Sequence, residues 1–343
     1  MTGKAIINSR PLVTVLMSVY DEKLLYLKQA VESILNQTYH NLEIIIVDDF
    51  CGQDCAGMLE DYAKKDRRIF LIKNSQNMGL TKSLNTGLKY VHGTYIARMD
   101  SDDISVPDRI EQQVRFMERH KDVAVCGTLL CNAENGERIK ILRYSASMRV
   151  RAVRMMLYNA GAAHPSAMIR TEFLKKNHIR YNEAFHRAQD YALWSEIIYR
   201  GGKMHILPKV MLKYRMHEGQ ISSAFHEEQV QCARAVRIQN LERHLNDSLS
   251  EREKKRYHAL AEQILAGTFR DDIKLILKIQ SGVHGVHPGI LKKELLMNWW
   301  ARGIRAVRNK EEAGAGYFWN RYALSIARPD NLIYAFIYFV LKI

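Results

Sequence analysis

Thr94-Tyr-Ile-Ala-Arg-Met-Asp-Ser-Asp-Asp103 is a short apolar run that ends in three carboxylates. The apolar part reads as a buried strand, and side chains on a strand alternate faces with period two. Asp100 and Asp102 therefore project to the same side of the strand end. Paired oxygens on one side suit a hard divalent cation, whose coordination sphere a diphosphate can complete. Taken by themselves, the same residues also read as a solvated acidic turn.

The segments upstream set the fold class. Val13-Thr-Val-Leu-Met-Ser-Val-Tyr20 is another short, β-rich apolar run. Leu27, Ala30, Val31, Ile34 and Leu35 then recur at helical spacing until Asn36-Gln-Thr38 ends the pattern. Leu42-Glu-Ile-Ile-Ile-Val47 is a continuous apolar strand running into Asp48-Asp49. A helix over about 55–65, a strand over 69–73 and a helix over about 80–91 lead back to Thr94. Strands alternating with helices of this length predict βαβ units, and near-continuous apolar strands predict an α/β, Rossmann-like, mostly parallel sheet covered on both faces. In such open sheets ligands sit beyond the carboxyl ends of the strands. Ser18, Asp48, Asp49, Asp100 and Asp102 all fall at such ends. Residues 122–220 continue the same domain as a mixed region, giving a catalytic segment 1–220. Residues 221–343 read as a helical C-terminal region, interrupted by the loop Gly282-Val-His-Gly-Val-His-Pro-Gly289.

Composition narrows the partners. The chain has 343 residues, 47% hydrophobic and 26% charged, an ordinary globular balance with a net charge of +14 that is not ordinary. Such a charge suits nucleic acid, an anionic membrane or phosphorylated substrates. Five cysteines without paired CxxC spacing predict free thiols in a reducing compartment. The first eleven residues hold no apolar stretch of the kind a signal peptide needs, and no apolar run approaches the roughly 20 residues that span a bilayer. A cytoplasmic location is therefore expected.

In order along residues 11–220 stand Val15-Leu-Met-Ser-Val-Tyr20, Ile34-Leu-Asn-Gln-Thr38, Ile45-Ile-Val-Asp-Asp49, Asn77-Met-Gly-Leu80 with Asn85-Thr-Gly87, and Asp100-Ser-Asp-Asp103 with Pro107-Asp-Arg109. They are followed by His164-Pro-Ser166, Gln189-Asp-Tyr-Ala-Leu-Trp194 and Tyr214-Arg-Met-His217. This series resembles the family 2 glycosyltransferases of bacterial surface-polysaccharide type, whose nucleotide-sugar domain has the GT-A fold. The resemblance implies an inverting, metal-dependent hexosyl transfer from a nucleotide-sugar, UDP-linked by preference, to a hydroxyl of a surface polysaccharide or lipid-linked glycan. It implies that Asp49 accepts a hydrogen bond from uracil N3, with Ser18 and Tyr20 forming the base pocket and Asp48 beside them. Asp48 and Asp49 also read as caps of the following turn. Asn77, Gly79 and Lys82 fall near the nucleotide, at a loop entering a helix, where backbone approaches phosphate closely.

The resemblance further implies that Asp100 approaches the ribose and that Asp102 coordinates Mn²⁺ or Mg²⁺. Asp190 corresponds to the general base, while Gln189 stands where the family usually carries Glu. A neutral neighbour removes a like charge that would raise the base's pKa. His164 falls on the acceptor side, and His217 falls near the metal or diphosphate. Trp194, one helical turn past Asp190, reads equally as a platform for a sugar and as core. Asp103 reads as a turn or cap residue, and Arg109 as structural.

The last 52 residues, 292–343, carry nine Lys/Arg against four Asp/Glu. Trp299-Trp300, then Arg302, Arg305 and Arg308, and the apolar Leu332–Leu341 fit an interfacial helix on an anionic leaflet, hence peripheral membrane binding, or a helix packed on the domain. A nucleotidyltransferase is a second reading, but Ser18-Val-Tyr-Asp-Glu22 lacks the Gly-rich basic loop such enzymes carry after the first strand. A non-catalytic basic interaction protein is a third. No nucleic-acid motif is present, so nucleic acid is not an expected partner.

Overall fold

The computed structural model describes residues 10–139, 147–216, 225–264 and 269–308. They form two compact units, residues 1–146 with 161–233 and residues 147–160 with 234–343. Helix 148–157, inside the expected catalytic segment 1–220, thus belongs to the second unit, while residues 225–233 belong to the first.

The first unit is built on one nine-stranded sheet. Its leading elements are β1 (Val13–Val19), α1 (Leu24–Leu35), β2 (Leu42–Asp48), α2 (Gln53–Lys65), β3 (Ile69–Lys73), α3 (Leu80–Leu88) and β4 (Tyr95–Arg98). There follow β5 (Ile104–Ser105), α4 (Arg109–Arg119), β6 (Val123–Asn132) and β7 (Arg138–Ile139). The unit continues through β8 (Met168–Arg170), α6 (Thr171–Lys176), α7 (Gln189–Tyr199) and β9 (Lys203–Tyr214), with α5 (Met148–Leu157) falling between β7 and β8 in the chain.

Strand order is β3-β2-β1-β4-β8-β6-β9-β5, with β7 paired to β6. The β3-β2-β1-β4 part is parallel, as continuous apolar strands joined by helices require. Every residue of β1 is buried, so this strand packs on both faces. Beyond β4 the sheet is mixed: β8 runs antiparallel to β4 and β6, and β9 runs parallel to β6. β1 lies between β2 and β4, and their carboxyl ends therefore open on the same edge. Val19 pairs with Asp48, and Leu16 pairs with Arg98. β8 brings a short turn, His164–Ser166, beside the same edge, where Arg98 N–H donates to Ala167 O at 2.8 Å.

The second unit is helical: α5, α8 (His226–Glu242, which starts in the first unit), α9 (Glu251–Glu262), α10 (Phe269–Gly282) and α11 (Pro288–Arg308). Its core gathers Met156, Tyr257, Ile276, Leu295 and Trp299. Ser250 and Glu253 cap α9 reciprocally, and Arg154 of α5 grips Glu294 of α11 through two bonds of 3.1 and 3.0 Å. Trp299 is buried there, so this residue of the basic tail packs on protein. Residues 309–343, with Leu332–Leu341, lie outside the described residues. No described helix is long and apolar enough to cross a membrane.

Candidate active site

A cleft of about 700 Å³ opens at the carboxyl edge of β1, β2 and β4. Ser18, Tyr20, Asp49, Asn77, Gly79, Asp100, Asp102, His164, Gln189 and Asp190 all line it. Residues up to 172 positions apart in the chain meet because three parallel strand ends and the start of α7 share this edge.

Asp49 is 1% exposed, and its carboxylate organises the loop before α3. Oδ1 accepts from Asn74 Nδ2 at 2.7 Å and from Met78 N at 2.8 Å, while Oδ2 accepts from Gly79 N at 2.8 Å. Gly79, whose N–H is the second of two successive groups to meet this carboxylate, sits at φ +82°, a conformation that favours glycine. Asp48 has a different task. Its Oδ1 accepts from Cys51 N at 2.9 Å, and the side chain is buried away from the cleft. The capping reading therefore replaces the expected nucleotide contact for Asp48.

Asp100, Asp102 and Asp103 place ligand oxygens within 4.8 Å of one another. Asp103 thus joins the pair the sequence singled out. Its Oδ1 accepts from Arg215 N at 3.0 Å, and its buried Oδ2 has no partner among the described residues. Burial, Asp100 and Asp102 push the Asp103 carboxyl well above the usual carboxylate range. Burial also pushes Asp100 up against the pull of Arg98, and the charges of Asp102 and Asp190 add to that push. Three crowded carboxylates, one with an orphaned oxygen, form a donor set suited to a hard divalent cation, which would relieve both desolvation and mutual repulsion. Arg215 ties the cluster to α1 through Nε on Asp102 O (2.9 Å) and Nη2 on Gln29 Oε1 (2.6 Å). His217, the expected additional metal contact, lies outside the described residues.

Sequence reasoning passed over Arg98. It is 1% exposed, pairs with Asp100 through Nη2, and leaves Nε and Nη1 without partners among the described residues. The signal was a lone charge inside Tyr-Ile-Ala-Arg-Met, since a buried cation needs an anion beside it. Arg109 is structural, as expected. It is fully buried and donates to Arg98 O at 2.7 Å and Gln113 Oε1 at 3.1 Å.

On the far side, Asp190 lies in the first turn of α7 and its Oδ1 accepts from Tyr191 N at 2.7 Å. Negative charge is favoured at a helix N-terminus. Gln189 beside it is buried, with an Oε1 that has no partner among the described residues. His164 Nε2 meets Tyr181 Oη at 2.8 Å, and burial, reinforced by Arg98, holds its imidazole well below the usual range, hence neutral. Trp194 corrects an expectation. It is fully buried, its Nε1 donates to Ala162 O at 3.0 Å, and the ring lies against Gly161. It is core, and no sugar reaches it.

Lys82, expected near the nucleotide, lines a separate groove and not the cleft. Two lining residues went unforeseen. Arg187 lies 3.6 Å from the Phe225 ring centroid and donates to Glu228 Oε2 at 3.1 Å. Nothing in the local sequence around either residue signals this stacking, which depends on the entry of α8.

Comparison with known proteins bears on this geometry. The family model for glycosyl transferase family 2 matches residues 14–193, from β1 through the start of α7. A glycosyltransferase of Haemophilus influenzae is 32% identical over 249 residues, covering 69% of this chain and 75% of that one. The O-antigen biosynthesis glycosyltransferase WbnJ of Escherichia coli is 34% identical over 217 residues, 60% of this chain and 80% of its own. Among solved structures, S. aureus TarS 1–349 in complex with UDP-GlcNAc superposes with a TM-score of 0.59 at 17% identity, covering 87% of this chain and 88% of that one. The mannosyltransferase PcManGT of Pyrobaculum calidifontis, in complex with GDP-Man and Mn²⁺, gives 0.54 at 16% identity, covering 96% and 86%. These two share the GT-A fold with this chain. Since the family model runs through the strand ends and α7 that build the cleft, and a relative matches well beyond them, the chain belongs to glycosyl transferase family 2.

Proposed function

We propose that the protein is an inverting, metal-dependent hexosyltransferase that moves a sugar from a UDP-sugar to a hydroxyl of a surface polysaccharide or its lipid-linked precursor. The observation that carries this reading is the meeting in one cleft of Asp190 with Asp100 and Asp102, whose carboxylates cluster with that of Asp103. The UDP preference rests on Asp49, an acceptor beside Ser18 and Tyr20, since uracil N3 is a donor. The surface-glycan acceptor draws support from WbnJ. A basic chain of net charge +14 suits work at the inner face of an anionic membrane.

In this reading Asp100, Asp102 and Asp103 would hold Mn²⁺ or Mg²⁺. Bound there, such an ion would offset charge on the departing nucleoside diphosphate. Asp49 and the loop it latches orient the base, and Gln189 and His164 position the acceptor. Asp190 takes the proton from the acceptor hydroxyl as that oxygen bonds to the anomeric carbon. The bond from that carbon to the diphosphate oxygen breaks on the opposite face, which inverts the centre. The test is calorimetric titration of UDP with Mn²⁺ and then with EDTA, alongside GDP and CMP. Metal-dependent binding of UDP in preference to GDP, lost in Asp102→Ala, is expected. UDP binding that ignores both EDTA and Asp102→Ala would overturn the metal assignment.

A further inference from the structure

A second cavity in the first unit, a groove of about 750 Å³, runs between α3 and α6. Asn77, Gly79 and Leu80 line the cleft, while Met78 and Lys82 of the same segment line the groove. Four cations surround it: Lys82, Lys89, Lys175 and Arg180. None of them is ion-paired among the described residues, and Lys175 reaches only Val91 O, at 3.5 Å. Some other exposed cations of this unit do find anions, as Lys73 does with Glu60 and Lys203 with Asp122. The acid on the groove wall, Glu183, is engaged by Asn85 Nδ2 at 3.1 Å.

Thr171, the first residue of α6, also lines the groove and is 4% exposed. Asn85 and Tyr181 brace the wall reciprocally, with Asn85 Nδ2 on Tyr181 O at 2.9 Å and Tyr181 N on Asn85 Oδ1 at 3.0 Å. The groove is thus a preformed concavity lined by four cations that have no ion-pair partner among the described residues.

We propose that this groove binds a phosphate-bearing ligand, separate from the nucleotide cleft. A phosphoryl group offers several acceptor oxygens and negative charge. It can pair with cations that line the groove. The volume accommodates an organic phosphate ester or a diphosphate in addition to bare phosphate.

The test uses the full chain in EDTA, with two probes: inorganic diphosphate by calorimetry, and sedimentation with phosphatidylglycerol against phosphatidylcholine vesicles. Saturable binding of at least one anionic probe is expected, weakened about tenfold in Lys89→Glu/Arg180→Glu by the reversed charges. Lys89→Gln/Arg180→Gln gives a milder version should the reversal disturb folding, and Asp102→Asn should bind the probe as the wild type does. Diphosphate binding alone identifies a soluble phosphate as the ligand, and vesicle binding alone a lipid headgroup. Absence of both, equal binding in the two Lys89/Arg180 variants, or loss in Asp102→Asn would overturn the proposal.

Discussion

Asp49→Asn isolates the latch that shapes one wall of the cleft. The native carboxylate accepts three bonds, two on Oδ1 and one on Oδ2. An amide has one acceptor oxygen, and its NH₂ faces a donor wherever it points. Its better orientation keeps the Asn74 and Met78 bonds and sets the NH₂ against Gly79 N–H. An orphaned buried donor costs about 1–3 kcal/mol, and loss of charge assistance costs roughly 1 kcal/mol more for each surviving bond. The sum is about 4 kcal/mol. That cost falls on the segment 74–79, which opens at a lower free energy than the whole unit. Hydrogen exchange of the Met78 and Gly79 amides should therefore accelerate by about 10²–10³-fold, with a much smaller change in β1 amides. UDP affinity should fall with it. If the two amides exchange at the wild-type rate in Asp49→Asn, the carboxylate is not the latch and the reasoning fails.

Asp190→Asn should cut the rate of sugar transfer by about 10²–10⁴-fold while leaving Mn²⁺-dependent UDP affinity within a factor of two or so, as calorimetry and a transfer assay would report. Transfer at the native rate would remove Asp190 from the chemistry. Gly161→Ala should destabilise the first unit, because an added Cβ would stand 2.1 Å from Trp194 Cδ1. Overpacking of this kind costs about 1–3 kcal/mol, readable in urea by the fluorescence of the buried indole. In the second unit, acid should weaken folding. Burial raises the Glu262 carboxyl, yet bonds from Arg234 and Arg237 outweigh it and hold the pKa down to about 2, while burial followed by Arg237 lowers His258 to about 4. Both folded pKa values lie below their unfolded ones, so the unfolded chain binds more protons and stability falls as the pH drops. The His258 contribution disappears between about pH 6.5 and 4, and the Glu262 contribution between about 4.3 and 2. Midpoints of urea unfolding at pH 7, 5 and 4 should decline, and His258→Asn should flatten the limb above pH 4; an unchanged limb would exclude His258 as its source.

Much of the first unit is legible in the chain itself. Val13–Val19, Leu42–Asp48 and Tyr95–Arg98 are largely apolar short runs, which predict strands buried on both faces, and the intervening periodicity makes the crossovers helical. Ser18, Asp49, Asp100 and Asp102 follow as site residues because parallel strands deliver their carboxyl ends to one edge. Tertiary structure alone decided the rest. Trp194 sits one turn from Asp190, but spacing along a helix does not say which face meets the core, and Gly161, 33 positions earlier, fills that answer. Asp48 and Asp49 are adjacent and chemically identical. One caps Cys51 and the other latches Met78 and Gly79, because neighbouring side chains at a strand end point in opposite directions. The Arg98–Asp100 pair, the orphaned Asp103 oxygen and the basic groove around Thr171 depend on burial and on segments some ninety residues apart, and electrostatics of that kind exists only once the chain has closed around it.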